Sequence, residues 1–329
     1  MKRVKIGVLG ISNHFTKRVL YPLKGSKKVE IHAISSRDAE KSEKFAQKHG
    51  IPKWYGSYED LLADSEIDAV YIPLPNHLHL EYIKKAADAG KSIICEKPIT
   101  LDSEQAKEAF EYAEKRGVVL MEAFMYKFHP QWIHAKELLL SNEIGNVRSI
   151  HCMFAYDNED PHNIRNVREF GGGALLDIGV YAVSTARYIM DLEPKRVISF
   201  IERDPKFGID ILTSAIVDFG GPRSVFTVST QSYPVQRIEI YASEGKMSIE
   251  VPFNMYPDVP GRVTVETSIG KREFLSRVAD QYLLEFEAFA RAVKDGVEPY
   301  DFSQDSLSNM KTIDAIFRSA ETGTWEDVK

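Results

Sequence analysis

The stretch VKIGVLGISNHF, residues 4–15, decides the fold. It begins as an apolar run typical of a buried strand and, after Gly10, opens a helix. Against the G-x-G-x-x-G fingerprint of dinucleotide-binding turns it reads Gly10-x-Ser12-x-x-Phe15, so only the first glycine is present. Gly10 would form the tight turn and Ser12 would lie where the backbone approaches a pyrophosphate held at the helix N-terminus. A plain strand-to-helix turn that needs one glycine is the alternative.

Outward from this turn, strand and helix patterns alternate. The predicted strands are Val4–Gly10, Val29–Ser35, Ala69–Leu74, Ser92–Cys95 and Val118–Met121. Amphipathic helices are predicted between them, at Asp38–His49, His77–Ala89 and Asp102–Arg116. This alternation is typical of βαβ units, so residues 1–122 are predicted to form an α/β domain, a doubly wound parallel sheet of the Rossmann type that binds a dinucleotide.

After residue 122 the pattern changes to a helix followed by consecutive strands. A helix is predicted over Pro130–Leu140 and another over Gly173–Met190. Strands without intervening helices indicate a large, mostly antiparallel open sheet, which makes residues 123–329 an α+β domain. The predicted strands are Val147–Ala155, Arg196–Glu202, Asp210–Phe219, Ser224–Ser229, Arg237–Ala242, Met247–Val251, Arg262–Thr267 and Lys271–Ser276. Helices over Asp280–Lys294 and Ser303–Ser319 are predicted to close the chain.

Composition restricts the partners. The net charge of −6 argues against a nucleic acid or an anionic membrane surface, and we find no apolar run long enough to span a membrane. The two cysteines lie in apolar, strand-like runs and do not suggest a disulfide framework, so we expect a cytoplasmic protein.

The end of the second predicted strand indicates which dinucleotide is bound. Enzymes that use NAD usually carry an acidic residue there, but this chain has Ser36 and Arg37. The planar cation of Arg37 and the hydroxyl of Ser36 would suit a ribose 2′-phosphate, which favours NADP(H) over NAD(H). The alternative is that Ser36 caps the next helix and Arg37 is a solvated surface charge.

Two distant segments carry the candidate chemistry. Lys97 follows a buried strand, where open α/β sheets place ligand-binding groups. Asp177 and Tyr181 lie four residues apart in the predicted helix over Gly173–Met190 and so share one face. If the segments meet, these three side chains could move a proton on or off a carbinol oxygen, which is the proton half of hydride transfer. The alternative is a surface lysine, a charge at a helix N-terminus and a core aromatic residue.

Further candidates follow the other strands of the first domain. Pro75, Asn76 and His79 come after the third predicted strand and could border the nicotinamide ribose, although His79 could equally be an ordinary helix-face histidine. The complete set of predicted cofactor-binding residues is Gly10, Ser12, Asn13, His14, Phe15, Ser36, Arg37, Leu74, Pro75, Asn76, His79, Glu96 and Lys97.

Together these motifs resemble the glucose-fructose oxidoreductase/inositol dehydrogenase (Gfo/Idh/MocA) family over essentially the whole chain. Within it, the chain is similar to the branch of dihydrodiol and NADP-dependent xylose dehydrogenases, anhydrofructose reductase and deoxysugar ketoreductases. The residues that carry the resemblance are the N-terminal turn, Ile72–His79, Glu96–Pro98, Met121–Pro130 and Gly171–Tyr181. The departure is Ser12 in place of the second fingerprint glycine.

The resemblance implies an activity and its residues. It implies that Lys97 and Tyr181 are the catalytic pair with Asp177 beside them, leaving open whether Tyr181 or Lys97 takes the proton. It also implies a homodimer or homotetramer formed through the outer face of the second sheet. We therefore predict an NADP(H)-dependent oxidoreductase for a sugar, ketosugar or cyclic diol. The alternatives are a C-3 ketoreductase of a nucleotide-linked deoxysugar and a non-catalytic nicotinamide-binding regulator.

The substrate side is predicted from the second domain. Tyr126, His129 and Arg165 are candidate contacts for a polyhydroxylated small molecule, in addition to Asp177 and Tyr181. Aromatic rings suit the apolar faces of sugars, but core packing would explain Tyr126 as well. We expect no metal, because no histidine pair has the helical spacing of a zinc site and the nicotinamide carries the redox step.

Overall fold

The computed structural model describes residues 2–329, which form two compact units. The first unit contains residues 2–125 and Tyr282–Leu307. Its parallel sheet has the order β3-β2-β1-β4-β5-β6, so the strand sequence reverses beside β1, as in a Rossmann fold. The strands are β1 (Val4–Leu9), β2 (Val29–Ser35), β3 (Lys53–Tyr55), β4 (Ala69–Ile72), β5 (Ser92–Glu96) and β6 (Leu120–Ala123).

The helices of this unit begin and end where local chemistry specifies. The carboxylates of Asp38 and Asp102 accept backbone N–H bonds at two helix N-termini, and Gly50 and Gly117 end the same helices in left-handed conformations. After a π-helical turn at Phe15–Val19, the helices up to residue 125 are α1 (Leu20–Leu23), α2 (Ala39–His49), α3 (Tyr58–Ala63), α4 (His79–Asp88) and α5 (Ser103–Arg116). The α/β architecture of the first unit is therefore confirmed.

The short strand β3 was not predicted from the sequence. Only three residues long, it is too short to show a period, and the side chain of Trp54 within it is exposed. Parallel pairing with β2 nevertheless places it at the sheet edge.

The second unit contains Tyr126–Gln281 and Ser308–Lys329 and is built on nine strands. The sheet order is β14-β13-β12-β11-β7-β10-β9-β8-β15, and only β7 and β10 pair in parallel. The strands are β7 (Val147–Asp157), β8 (Arg196–Arg203), β9 (Asp210–Asp218), β10 (Arg223–Ser229), β11 (Gln231–Ala242), β12 (Gly245–Ile249), β13 (Arg262–Thr267), β14 (Gly270–Leu275) and β15 (Glu326–Asp327). The predicted mostly antiparallel sheet is confirmed.

The later helices match the predicted positions except in one detail. They are α6 (Pro130–Leu140), α7 (Val180–Met190), α8 (Gln281–Asp295) and α9 (Phe302–Thr322). The helix expected over Gly173–Met190 is regular only in α7, because Leu175–Gly179 forms a π-helical turn ahead of it. Single π turns inside helices occur frequently at functional sites, and this one contains Asp177.

The compact units differ from the expected domains in one segment. Tyr282–Leu307, which the division at residue 122 assigns to the second domain, clusters with the first unit. The ring of Phe286 meets that of Tyr71 edge-on with centroids 5.2 Å apart, and Glu287 accepts a hydrogen bond from Ser26 at 2.9 Å. Contacts so distant in sequence leave no local signal.

Across residues 2–329, none of the helices combines the length and apolar character needed to cross a bilayer.

Candidate functional site

The Gly10 turn has the geometry predicted from the fingerprint. Its φ is +105°, a conformation that side chains disfavour, and an added Cβ would lie 3.1 Å from Leu74 Cδ2. The Gly10 N–H donates to the carbonyl oxygen of Ser35 at 2.9 Å, which joins the ends of β1 and β2. Glycine is therefore required here both by backbone conformation and by the approach of Leu74.

Ser12 takes the position of the missing second glycine and caps the helix that follows. Its Oγ accepts the Phe15 N–H at 3.0 Å, and its carbonyl oxygen accepts both the N–H and the hydroxyl of Thr16. Phe15 is fully buried, with its ring centroid 6.1 Å from that of Tyr71. The structure thus places Phe15 in the core, although it was predicted to bind the cofactor, and leaves Asn13 exposed at the helix start.

At the end of β2 the two candidate phosphate ligands differ in availability. Ser36 is buried, and its Oγ lies 2.7 Å from the carbonyl oxygen of Asp38 and 2.8 Å from Ser42 Oγ, so its hydroxyl is engaged beside the start of α2, whose cap is Asp38 and not Ser36. Arg37 is exposed. Burial raises the pKa of Tyr58, and the positive charge of Arg37 opposes this shift in part. The structure therefore leaves Arg37 open to an anion and engages the hydroxyl of Ser36 within the protein.

The residues after β4 form a turn that the buried side chain of His79 stabilises from the protein interior. Leu74 is buried, whereas Pro75 and Asn76 are partly exposed. His79 is fully buried, and its two ring nitrogens lie 2.8 and 2.9 Å from the backbone carbonyl oxygens of Pro98 and Leu74. His79 therefore supports the turn from inside and presents no open face to a ligand.

Glu96 and Lys97 lie at the end of β5. The Glu96 carboxylate accepts the Tyr71 hydroxyl at 2.6 Å and lies 3.3 Å from His14 Nε2. Burial opposes its ionisation, but the charge and hydrogen bond of His14, the Tyr71 hydroxyl and the charge of Lys97 together lower the pKa of Glu96 to about 2. Glu96 thus connects the helix after Gly10 with the strand end that carries partly exposed Lys97.

In the second unit, the end of β7, the short helix Ile164–Asn166 and the π-helical turn before α7 bring Tyr156, Arg165 and Asp177 into hydrogen-bond contact, and Tyr181 follows Asp177 by four residues. We call Tyr156, Arg165, Asp177 and Tyr181 the tyrosine cluster. Tyr156 donates its hydroxyl to Asp177 Oδ2 at 2.6 Å, and Arg165 Nε donates to Asp177 Oδ1 at 2.9 Å. Asp177 and Tyr181 are buried, while Tyr156 and Arg165 are partly exposed. The cluster gathers one cation, one carboxylate and two phenols.

Charge within the tyrosine cluster shifts its titrations. The negative charge of the Asp177 carboxylate is the main cause that raises the pKa of the Arg165 guanidinium. Tyr156, the hydrogen bond between Arg165 and Asp177, and Tyr181 add smaller effects in the same direction, and burial opposes them. Burial and the charge of Asp177 raise the pKa of Tyr156 far above its ordinary value. Arg165 therefore keeps its positive charge, and Tyr156 keeps the proton that it donates to Asp177.

The glycine run at residues 171–173 holds the Arg165 loop against the helix. An added Cβ on Gly172 would overlap the backbone of Arg165, and Gly173, with φ of +118°, would overlap Asp210. The Gly173 N–H also donates to the Arg165 carbonyl oxygen at 2.9 Å. Asp210 accepts the Leu175 N–H at 2.6 Å, which fixes the start of the π-helical turn.

Two residues predicted to contact the substrate are instead buried in the hydrophobic core. Tyr126 is fully buried, with its hydroxyl 2.7 Å from Ser184 Oγ and its ring centroid 5.1 Å from that of Trp132. His129 is also fully buried, and its Nδ1 accepts the Gln131 N–H at the start of α6. The structure therefore favours the packing alternative for Tyr126 and a capping contact for His129.

Tyr156 was missed by sequence reasoning, and a signal for it was present. The predicted strand ended at Ala155, whereas β7 extends to Asp157. Side chains alternate along a strand, so Tyr156 lies on the same face as Phe154, whose ring centroid is 6.0 Å from that of Tyr181. A strand extended by two residues would have placed Tyr156 beside the helix of Asp177 and Tyr181.

No cluster of three or more His, Cys, Asp or Glu side chains that could hold a metal ion occurs within residues 2–329.

Comparison with known proteins supplies the family. Residues 4–124 match the family described as "Oxidoreductase family, NAD-binding Rossmann fold", and residues 132–248 match the "GFO/IDH/MocA C-terminal domain". The chain is 38% identical to D-xylose 1-dehydrogenase (NADP(+)) 2 of Haloferax volcanii over 96% of this chain and 97% of that enzyme. It is 33% identical to dTDP-3,4-didehydro-2,6-dideoxy-alpha-D-glucose 3-reductase of Actinomadura kijaniata over 95% and 94% of the two chains.

A solved structure extends the likeness to the fold. The crystal structure of a 3-ketoreductase from Actinomadura kijaniata, in complex with NADP and TDP-benzene, superposes with a TM-score of 0.92 at 30% identity. The match covers 97% of this chain and 98% of that one.

Proposed function

This chain belongs to the Gfo/Idh/MocA oxidoreductase family, and from that premise we propose that it is an NADP(H)-dependent enzyme acting on CH–OH groups. Its substrate is a sugar, ketosugar or cyclic diol, oxidised at a carbinol carbon or reduced at the corresponding carbonyl. The observation that carries the proposal is the likeness to an NADP-dependent sugar dehydrogenase over nearly the whole of both chains.

The first unit fits the phosphorylated dinucleotide. The positive φ of Gly10 and the closeness of Leu74 leave room for backbone and no side chain at the turn, as a pyrophosphate cradle requires. The Ser12 cap takes the Phe15 N–H, so Asn13 and His14 supply the helix N-terminus for phosphate oxygens. Exposed Arg37 at the end of β2 would bind the 2′-phosphate. Leu74, Pro75, Asn76, Glu96 and Lys97 complete the proposed cofactor-binding set.

The proposed chemistry divides between cofactor and protein. Bound NADP(H) accepts or supplies the hydride. Tyr181 and Lys97 handle the proton: a phenol with an ordinary pKa near 10 needs a cation to release its proton at neutral pH, and Lys97 and Arg165 both offer positive charge. Asp177, four residues before Tyr181, completes the proposed set in support of this pair.

A second candidate function is reduction at C-3 of a nucleotide-linked deoxysugar. The 33% identity to the Actinomadura kijaniata 3-reductase favours it, as does the TM-score of 0.92 with the 3-ketoreductase structure. A non-catalytic regulator would need the Gly10 turn to bind the cofactor, but it would not need to carry Lys97, Asp177 and Tyr181 together.

We also propose that the protein self-associates into a homodimer or homotetramer through the open face of the second sheet. Strand register aligns Ile198 with Ile216, Ile216 with Val225, and Val225 with His151 across four neighbouring strands. Phe200, 72% exposed, lies on the same face of β8 as Ile198. Sedimentation of the double variant Phe200→Glu/Ile216→Glu should show a monomer where the native protein is a dimer or tetramer.

We also propose a cytoplasmic location. Cys95 and Cys152 are both free and buried, which suits a reducing compartment. Recovery of the native protein in the periplasmic or secreted fraction of its source would overturn this assignment.

The experiment that tests the function is a spectrophotometric panel at 340 nm with purified protein. Aldoses and cyclic diols are offered with NADP and NAD, and ketosugars and a dTDP-linked ketosugar with NADPH and NADH. The proposal expects turnover of unlinked sugars or diols with preference for the phosphorylated cofactor. Turnover restricted to the dTDP-linked compound would establish the second candidate. Tight NADPH binding without turnover of any class would indicate the regulator.

A further inference from the structure

We propose that Arg165 is the group of the tyrosine cluster that donates hydrogen bonds to a substrate oxygen, and that Asp177 acts through Arg165 as a positioning residue. The inference rests on the proposed function, because it assigns the substrate contacts of that same site. It also gives Tyr156 a role, as the second residue that fixes the Asp177 carboxylate.

The first support is the engagement of Asp177. Each of its carboxylate oxygens already accepts a charge-assisted or short hydrogen bond, from Arg165 Nε at 2.9 Å and from the Tyr156 hydroxyl at 2.6 Å. Hydrogen bonds in which one partner is ionised are roughly twice as strong as neutral ones, so a substrate hydroxyl would have to compete with both. The geometry suits an anchor better than a direct ligand.

The second support is the number of N–H donors of Arg165 that the bond to Asp177 leaves available. A guanidinium carries five N–H donors, and the bond to Asp177 uses only the one on Nε. The side chain is 40% exposed, so its outer part reaches solvent while Nε stays fixed. Asp177, to which Nε is bonded, lies four residues before Tyr181, the phenol proposed to move the proton.

The third support is the stiffness of the loop that carries Arg165. The backbone of Arg165 packs so closely on Gly172 that no side chain fits there, and its carbonyl oxygen accepts the Gly173 N–H at 2.9 Å. Asn163 caps the short helix Ile164–Asn166 by accepting the Arg165 N–H at 3.1 Å. A donor held at both backbone and side chain is already oriented before the substrate arrives, which lowers the entropic cost of binding.

The charge of the cluster indicates the substrate class. Arg165 and Asp177 neutralise each other, and Tyr156 keeps its proton because its pKa lies far above neutral. A net-neutral cluster suits the hydroxyl or carbonyl oxygen of an uncharged sugar or diol, because it leaves no net positive charge to attract a carboxylate. We therefore expect neutral sugars to be preferred over the matching uronates at this position.

The decisive test is a double-mutant cycle on kcat/KM with the sugar that the native enzyme turns over. Arg165→Gln should lower kcat/KM about 10- to 100-fold, the effect of losing a charged hydrogen-bond donor. Asp177→Asn should also lower it, because Arg165 loses its anchor. The double variant should be no worse than Arg165→Gln alone, because Asp177 acts through Arg165. Multiplicative losses would contradict the positioning role and show that Asp177 meets the substrate itself.

Tyr156→Phe supplies a second variant that keeps the ring and both charges. It should raise KM with a smaller effect on kcat, and it should have no further effect when Arg165 is already Gln. An equal effect in both backgrounds would overturn the role of Tyr156. Arg168→Gln is the matched control, since it removes an exposed arginine of the same loop and should leave the kinetics unchanged.

Two readouts separate this inference from the function on which it rests. NADPH binding, followed by fluorescence, should keep its Kd in every variant, which shows that each protein is folded. Absence of turnover in the native protein would refute the proposed function. Native turnover with an unchanged kcat/KM in Arg165→Gln would refute only the inference. Asp177→Asn should also raise the ratio of uronate to neutral-sugar kcat/KM about 10-fold, and an unchanged ratio would contradict the charge argument.

Discussion

The Nδ1 atom of His79, at the start of α4, lies 2.8 Å from the backbone carbonyl oxygen of Pro98, beyond the end of β5. Its Nε2 lies 2.9 Å from the carbonyl oxygen of Leu74, so one buried ring connects the turn after β4 with the turn after β5. These two turns carry Asn76 and Lys97 of the proposed cofactor-binding set. His79 therefore holds in register the two turns that carry proposed cofactor-binding residues, and it presents no open face to a ligand itself.

We predict that His79→Gln lowers both stability and cofactor affinity. The neutral imidazole donates its one N–H to one of these carbonyl oxygens, and a glutamine amide does not fill the place of the ring, so leaving that buried oxygen without its donor costs about 1–3 kcal/mol of unfolding free energy. Guanidinium unfolding and NADPH titration should therefore both change. His134→Gln, at a partly exposed histidine of α6, should change neither. A His79→Gln protein with native stability and native NADPH affinity would refute the bracing role.

His129 predicts a pH dependence of stability. Burial, aided by the charge of Arg277 and opposed by a hydrogen bond with the Ala279 backbone, lowers the pKa of His129 to about 4. In the unfolded chain the pKa is about 6.5. As the pH falls below about 6.5, the unfolded state binds a proton that the native state does not, so the native state loses stability down to pH 4.

The matched variant is His129→Asn, which keeps a side-chain acceptor for the helix cap and removes the titration. From pH 7.5 to pH 5 the native protein should lose on the order of 2 kcal/mol more unfolding free energy than the variant. Urea unfolding at the two pH values measures the difference. Equal losses in the two proteins would show that His129 does not titrate as described.

Comparing alanine substitutions at Gly10 and Gly50 distinguishes the effect of backbone strain from the effect of ligand contact. Both have positive φ, but an added Cβ meets Leu74 at Gly10 and nothing within 4 Å at Gly50. Gly10→Ala and Gly50→Ala should each destabilise the fold by about 1 kcal/mol through φ, with a further loss at Gly10 from crowding. Only Gly10→Ala should weaken NADPH binding, by 10-fold or more. Comparable NADPH affinity in the two variants would remove the Gly10 turn from the proposed nucleotide site.

We predict that Arg37 determines the preference for NADPH over NADH. Arg37→Ala should weaken NADPH binding about 10- to 100-fold, because a charged hydrogen bond to phosphate contributes about 1.5–3 kcal/mol. NADH, which lacks the 2′-phosphate, should bind the variant as well as it binds the native protein. Fluorescence titration with both cofactors makes the comparison. An equal loss for NADPH and NADH would show that Arg37 does not recognise the 2′-phosphate.

The sequence predicted the fold well because its strongest signals are local. Alternating strands and helices, and caps such as Asp38 and Asp102, depend on residues near one another in the chain, and the structure confirms the parallel sheet they indicate. The short strand β3 and the placement of Tyr282–Leu307 depend on distant pairing, so no local pattern could show them.

The proposed site was predicted less completely, for a related reason. Residue type and position were enough to propose Gly10, Arg37 and Asp177 as site residues, but they could not show which polar groups the protein itself engages. The Ser36 hydroxyl and the His79 ring both have internal hydrogen-bond partners, and these partners become visible only in three dimensions.

The proposed proton transfer by Tyr181 and Lys97 is tested by the kinetics of variants at these two residues. With the best substrate of the panel, Tyr181→Phe and Lys97→Ala should each lower kcat by about 100-fold or more, as expected for loss of a proton-transfer group, while NADPH still binds. Because the two residues serve one proton transfer, the double variant should be little slower than the slower single variant. Native kcat in Tyr181→Phe, or losses that multiply in the double variant, would contradict the claim.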